Sequence, residues 1–411
     1  VRTLLSAFCL SLLLVGIAPA QDSLNCRLLG HCDTPGSARG VAVAGNFAYV
    51  ADGTGGLRVI SVADPAYPVE VGFEYTPGGA SGVTVDGSYA YVADGSSGLE
   101  VVDVSVPATP HITGHCSTPD WAYGVVVAGN YAYVADGLSG LRVIEVSNPA
   151  FPREKGYCDT VDNSLGVAVT GSYAYVADNS CHRVRVIDVS NPADPQEHAR
   201  HTTPGQANGI AVSGDYVYVA DDSAGLRVID VFNPADPRES GFYDTPGLSQ
   251  GVAVAGSYAY VADLDSGLRV IDVSDPGAPE ERGFYSTPGY AVAVAVAGSY
   301  VYVAHDIEGL QIIEFNGGGV EESSKPQAAS PKPMPTIVRR VLFVPGLGTR
   351  SELPGNSVMS RAALLDINGR KVMELHSGAN DVSRLAPGVY FVRAPGREPS
   401  AVSCHRVLIV R

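Results

Sequence analysis

Tyr131-Ala132-Tyr133-Val134-Ala135-Asp136 decides the fold, because the chain repeats it. The same six residues stand at Tyr89 to Asp94, Tyr173 to Asp178 and Tyr258 to Asp263, and variants begin at Phe47, Tyr216 and Tyr300. The copies end at Asp52, Asp94, Asp136, Asp178, Asp221, Asp263 and His305, so the steps between them are 42, 42, 42, 43, 42 and 42 residues. A fixed period of this length marks a solenoid or a propeller.

The residues around one copy spell four short strands. Val125 to Val127 is a run of small and branched residues, and Gly129-Asn130 after it is a two-residue hairpin turn. Tyr131 to Ala135 is the second strand, Asp136 to Gly140 a turn, and Leu141 to Val146 the third strand. Asn148-Pro149 breaks the chain, and a fourth strand follows from about Arg153 to Asp159. Four strands in about 42 residues make a propeller blade. Residues two apart share a face of a strand. Tyr131 and Tyr133 therefore oppose Ala132 and Val134, and the aromatic face of one blade can pack on the small face of the next. Seven copies of the first three strands stand against six proline-broken turns into a fourth. The missing strand is at the other end: Cys26 to Pro35 matches the fourth-strand segments of other repeats, so it is expected to complete the last blade and close the ring. Closure protects sheet edges. A solenoid, the alternative, would need capping repeats, and the sequence has none. The expected fold is all-β: a seven-bladed propeller followed by a small C-terminal β-sandwich.

Composition narrows the partners. The 411 residues carry 27 Lys plus Arg against 43 Asp plus Glu, a net charge of −16. That balance excludes a phosphate-backbone footprint, so no nucleic-acid partner is expected. Residues 1–20 read as a signal peptide: Arg2, the apolar run Leu4 to Ile17, then Ala18-Pro19-Ala20. No later run is long enough to span a membrane, so the mature protein, 21 onward, is expected outside the cell without a transmembrane span. Export permits disulfides. Cys32, Cys116 and Cys158 share one register of successive repeats, too far apart to pair, and Cys181 with Cys158 is the preferred pairing among those remaining.

The repeat core, Leu57 to Pro65, Leu141 to Pro149, Leu226 to Pro234 and Leu268 to Pro276, resembles the LVIVP repeat of bacterial and archaeal surface proteins. The resemblance covers 27–315 and implies a seven-bladed propeller over 21–316 in an extracellular protein, with no defined catalytic activity. Residues 317–336 then form a linker rich in Gly, Ser and Pro. Within 337–411, Ala363 to Ile367, Val389 to Val392 and Ala401 to Val410 read as strands, with Asn368-Gly369 as a hairpin turn. This segment resembles the C-terminal sorting domain of the type IX secretion system. The matching residues include Asp366, Gly369, Arg370, Gly378, Asn380, Asp381, Leu385, Pro387, Gly388 and Tyr390. The resemblance implies the type IX machinery as a partner and delivery to the cell surface or medium; Cys404 departs from the pattern.

No nucleophile, zinc or phosphate-loop motif is present, and no cofactor or metal is expected. The ring of Asp52, Asp94, Asp136, Asp178, Asp221 and Asp263 precedes Gly- and Ser-rich turns, where an Asp can bond the backbone two residues on. A cation site there is the sharper alternative, but His305 in the seventh copy fits a turn residue better. Function is sought where the repeats differ. The residues before the first strands are Arg39, Ser81, Tyr123, Leu165, Asn208, Gln250 and Val292, and nearby loops add Asp120, Trp121, Asp162, Asn163, Gln206 and Tyr290. The turn from Asp178 to Arg183 is one residue longer than the others and adds His182. Varied polar and aromatic groups around a ring mouth suit ligand binding. The expected function is a non-enzymatic propeller binding an extracellular protein, peptide or glycan there. A glycan or peptide hydrolase or lyase using Asp120, Asp162, His182 and Arg39 is one alternative, and a structural spacer or adhesin is another.

Overall fold

The computed structural model of the chain describes residues 23–317 apart from 161 and 288, and then only the strand segments 336–338, 341–344, 362–365, 371–375, 378–381, 388–395 and 402–409. The signal segment 1–20 and residues 318–335 of the expected linker lie outside the described residues. All regular structure among the described residues is β.

Residues 23–317 form seven antiparallel blades, each a meander that runs outward from the axis. Blade 1 is Gly40–Ala44, Phe47–Ala51, Leu57–Ser61 and Val69–Glu74, and blade 3 is Gly124–Ala128, Tyr131–Ala135, Leu141–Glu145 and Arg153–Cys158. The turns at Gly45, Gly87, Gly129, Gly171, Gly214, Gly256 and Gly298 all take positive φ, as two-residue hairpins require. Blade 7 is Ala291–Ala297, Tyr300–His305 and Gly309–Phe315, and its outer strand is the N-terminal Cys26–Cys32, which pairs Cys26 with Phe315 and Cys32 with Leu310. The ring thus closes with the strand that the sequence places there. One strand was not anticipated. Ser23–Leu24 adds a fifth strand outside blade 6, pairing with Tyr285 and Phe284.

Alternation within the strands explains the stacking. Tyr91, Ala93, Leu99 and Val101 of blade 2 form one buried cluster with Ala132, Val134, Ile144 and Val146 of blade 3. Tyr302 and Ala304 of blade 7 meet Ala48 and Val50 of blade 1 in the same way, across the closure. Each large side chain so buried contributes about 1.5–3 kcal/mol. Near the axis the constraint is space. A Cβ on Gly82 would lie 2.6 Å from the Tyr123 carbonyl oxygen, and one on Gly209 2.6 Å from that of Gln250. Glycine at the start of the inner strand lets neighbouring blades approach backbone to backbone.

In the C-terminal unit, taken by itself, a five-stranded sheet runs in the order Thr336–Val338, Val402–Ile409, Gly388–Pro395, Ala362–Leu365, Lys371–Leu375. Val341–Val344 pairs antiparallel with Gly378–Asp381. Of the sorting-motif residues, Gly378, Asn380 and Asp381 stand on that short strand, and Gly388 and Tyr390 on the long one. Asp366, Gly369, Arg370, Leu385 and Pro387 lie outside the described residues.

Candidate ligand-binding site

The repeated Asp builds the frame of the site, by a route other than the expected one. Asp52, Asp136, Asp178, Asp221 and Asp263 are fully buried. Their carboxylates take their hydrogen bonds from the link that enters the blade, not from amides of their own turns. Asp52 accepts hydrogen bonds from Thr34 Oγ1 at 2.5 Å and from the Gly36 N–H at 2.8 Å. Asp263 accepts from Thr245 at 2.6 Å and from Gly247 at 2.8 Å. Bonds to the backbone two residues on, expected at these positions, are made instead at the opposite end of the blades, for example by Asp64, Asp103 and Asn148.

In five of the blades an arginine from the third strand completes the clamp. Arg58 Nε lies 3.5 Å from Asp52 and its Nη1 3.7 Å from Glu70, while its guanidinium sits 4.9 Å from the Phe73 ring centroid. Arg142 with Tyr157, Arg227 with Phe242 and Arg269 with Phe284 repeat the arrangement. Burial pushes the carboxyls of Asp52, Asp136, Asp178 and Asp221 above the usual range, against the threonine or serine, amide and arginine contacts that lower them. Two blades depart from the pattern. Blade 2 has Glu100 in place of the arginine, bonded to His115 Nδ1 at 2.8 Å, and burial raises its carboxyl. Blade 7 has His305 and Gln311, both buried.

Above this frame a cavity of about 590 Å³ lies on the axis. Its wall is the inner strands, and its rim is the seven variable residues: Arg39, Ser81, Tyr123, Leu165, Asn208, Gln250 and Val292 all line it. Single antiparallel bridges stitch neighbouring blades just outside this rim, at Gly53–Ala80, Gly95–Ala122, Gly137–Ser164, Asp222–Ser249, Leu264–Ala291 and, across the closure, Asp306–Ala38. These six bridges stand beside every rim residue except Asn208, which is tied instead to Asn179 and the Ser249 carbonyl. Tyr290, exposed, and Asp306, bonded to Ser37 Oγ, join the lining beside Arg39. The rim is chemically divided. Arg39 and Asp306 make a charged arc, Tyr123 and Leu165 an apolar one, and Asn208 and Gln250 an amide one.

Of the loop residues expected at the site, Arg39, Tyr123, Asn208, Gln250 and Tyr290 line the cavity, and Asp120, Trp121, Asp162, Asn163, His182 and Gln206 do not. Trp121 packs over the glycines of its neighbour, where a Cβ on Gly95 would sit 2.6 Å from the indole, and its Nε1–H donates to Ser81 Oγ at 3.3 Å. Its ring centroid is 6.4 Å from that of Tyr123, so it stands behind the rim. Asp120 accepts from the Leu138 N–H at 2.7 Å. Asp162 accepts from the Cys181 N–H; burial works to raise its carboxyl, and the amides of Asn163 and Cys181 together hold it below the usual range. The Asn163 carbonyl accepts from Asn179 at 3.0 Å. Asn179 Nδ2 in turn lies 2.7 Å from Asn208 Oδ1 and 3.5 Å from Gln206 Oε1. His182 has φ +54°, in the place where the other blades have a left-handed glycine such as Gly56, Gly98 or Gly140. That conformational role explains the residue. Cys158 and Cys181 are both free thiols, which corrects the expected pairing: one stands on the outer strand of blade 3, the other in a turn of blade 4.

Sequence reasoning missed the threonine and the arginine of the clamp. Their signal was a constant offset. A threonine stands 18 residues before every clamp position, from Thr34 to Thr287, and Arg58, Arg142, Arg227 and Arg269 stand six after theirs.

A family model described as LVIVD repeat matches residues 35–76, 77–118, 121–160, 163–203, 204–245, 246–287 and 288–314. No curated protein matches the chain. Among solved structures, a crystal structure of the computationally designed Ika8 protein is similar at a TM-score of 0.52 and 10% identity, over 70% of this chain and 99% of that one. A chain of a crystal structure of the Mitotic Checkpoint Complex is similar at a TM-score of 0.60 and 12% identity, over 76% of this chain and 98% of that one. At such identities the likeness is one of fold.

Proposed function

The chain belongs to the LVIVD-repeat family, and on that premise we propose that it is a secreted or cell-surface, non-enzymatic propeller that binds a protein, peptide or glycan at its axial cavity. One observation carries the reading. All seven positions that precede an inner strand converge on a single cavity, and they are the places where an otherwise regular repeat changes chemistry. A volume of about 590 Å³ suits a small ligand or the protruding end of a larger one. Tyr123 supplies a stacking face, Asn208 and Gln250 supply paired donors and acceptors, and Arg39 supplies the positive charge. Among the described residues no three His, Cys, Asp or Glu side chains are grouped to hold a metal ion.

Export belongs to the same proposal. The segment 1–20 serves as a signal peptide, and 337–411 folds as a small β-sandwich that the type IX secretion machinery recognises through the motif residues from Asp366 to Tyr390. Among the described residues no helix is long and apolar enough to cross a membrane. Binding of the purified chain to glycan and peptide arrays, compared with Tyr123→Ala, tests the cavity: loss of the strongest signals supports it, and an unchanged pattern removes it. Mass spectrometry of surface material tests the export route, since intact 371–411 in the mature protein would sink the sorting reading.

A further inference from the structure

The outer strand of blade 1 is unlike the others. Val69–Glu74 and its flanks leave five apolar residues open to solvent within nine positions: Tyr67 at 77%, Val69 at 57%, Val71 at 37%, Phe73 at 46% and Tyr75 at 61%. In the ladder against the third strand, Val69 opens the outer strand, and Val71 is the extra residue of a bulge between Glu70 and Gly72. The same two places hold Arg153 and Lys155 in blade 3, Arg238 and Ser240 in blade 5, and Glu280 and Arg282 in blade 6. Charges on an outer strand keep a sheet edge from recruiting further strands. Blade 1 has two valines instead, and the one carboxylate between them, Glu70, is drawn inward to Arg58 at 3.7 Å.

The fold already contains an added strand at this kind of edge. Ser23–Leu24 pairs antiparallel with Tyr285 and Phe284 on the outer strand of blade 6, just beyond its bulge. The corresponding residues of blade 1 are Glu74 and Phe73. We propose that the outer strand of blade 1 is a dimerisation edge, covered by the same strand of a second copy lying antiparallel to it about a two-fold axis. A two-fold axis gives each copy the same apolar strand to bury. Taking roughly 150–250 Å² for each buried aromatic side chain, the five residues expose on the order of 500 Å² per copy. Two copies then bury about 1,000 Å², the lower limit for a specific interface. The dimer is accordingly weak and concentration-dependent, and most of its stabilisation comes from side chains, because the bulge at Val71 shortens the stretch of regular backbone edge. A charge of −16 on each copy opposes association at long range, and salt screens it.

Sedimentation velocity of the full chain over a concentration series tests this. The expected result is a monomer that becomes a dimer as concentration rises, with more dimer at higher sodium chloride. Val69→Arg combined with Val71→Lys places there the residues that blade 3 already carries, so the blade can accept them. The variant should melt at the same temperature and self-associate at least about tenfold more weakly. A chain that stays monomeric at every concentration overturns the proposal, as does a dimer that survives both substitutions.

Discussion

His305 and Gln311 stand where other blades have an Asp and an Arg, and their environment still has the shape of the clamp. Both ring nitrogens of His305 and the Oε1 of Gln311 are buried without a hydrogen-bond partner. Thr287 and Gly289 remain in the positions that serve Asp elsewhere. His305→Asp alone should bury an unpaired carboxylate, and Gln311→Arg alone an unpaired guanidinium, each costing about 3–5 kcal/mol. The double substitution should recover most of that loss, so denaturant unfolding of the four proteins should show a coupling of about 2 kcal/mol or more. The pH dependence follows from the same site. Burial holds the His305 imidazole below its ordinary value, against Glu308 and Asp306, which work to raise it. The unfolded chain then binds a proton near pH 6.5 that the folded chain refuses. Stability from this group is complete above that pH and is lost as pH falls below it. His305→Gln should flatten the fall in melting temperature between about pH 7 and pH 5. At this scale the sequence is legible where a residue recurs at a constant spacing. The Asp ring could be read, but the bonds it makes could not, because Thr34 and Arg58 belong to links and strands whose approach depends on the assembled blade.

Elements were the most legible part of the chain. Period-2 alternation, glycine-first turns and Asn-Pro or Asp-Pro breaks mark the inner three strands of every blade, and the lone N-terminal match supplies the closing strand. Two features escaped. The bulge in each outer strand leaves no pattern of its own, since one extra residue in a six-residue strand is compatible with either register. Ser23–Leu24 is too short to show alternation, and its strand character comes from the open edge of blade 6. The glycine at the head of the inner strand is an element-scale requirement. Gly82→Ala should cost about 1–3 kcal/mol by forcing its Cβ against the Tyr123 carbonyl, seen as a lower melting temperature. Gly129→Asn, in a turn where nothing lies within 4 Å of the added Cβ and φ is +61°, should stay within about 0.5 kcal/mol, since Asn tolerates the left-handed region.

For the whole molecule, regularity and irregularity divide the labour. Five Asp–Arg clamps, seven aromatic stacks and the inner glycines fix the ring, and rim residues such as Arg39 and Tyr123 are free to differ, whereas Asn208 also bonds Asn179 and the Ser249 carbonyl. About half of the candidate loop residues reach the cavity. Position just before an inner strand was a reliable guide, because the ring geometry turns every such residue toward the axis. Residues two or three places farther out, such as Trp121, Asp120 and Asp162, were not readable: Trp121 packs on the neighbouring blade, and Asp120 and Asp162 brace the turn of their own. The central claim is that binding resides in the rim and stability in the clamps, and paired measurements on two variants test it most directly. With the strongest array ligand, isothermal titration and thermal melting would be run on Arg39→Ala/Tyr123→Ala and on Arg227→Met. The rim variant should keep its melting temperature and bind at least about 100-fold more weakly. The clamp variant should lose about 3–5 kcal/mol of stability and, while folded, bind as the wild type does. A rim variant that binds with unchanged affinity would contradict the account.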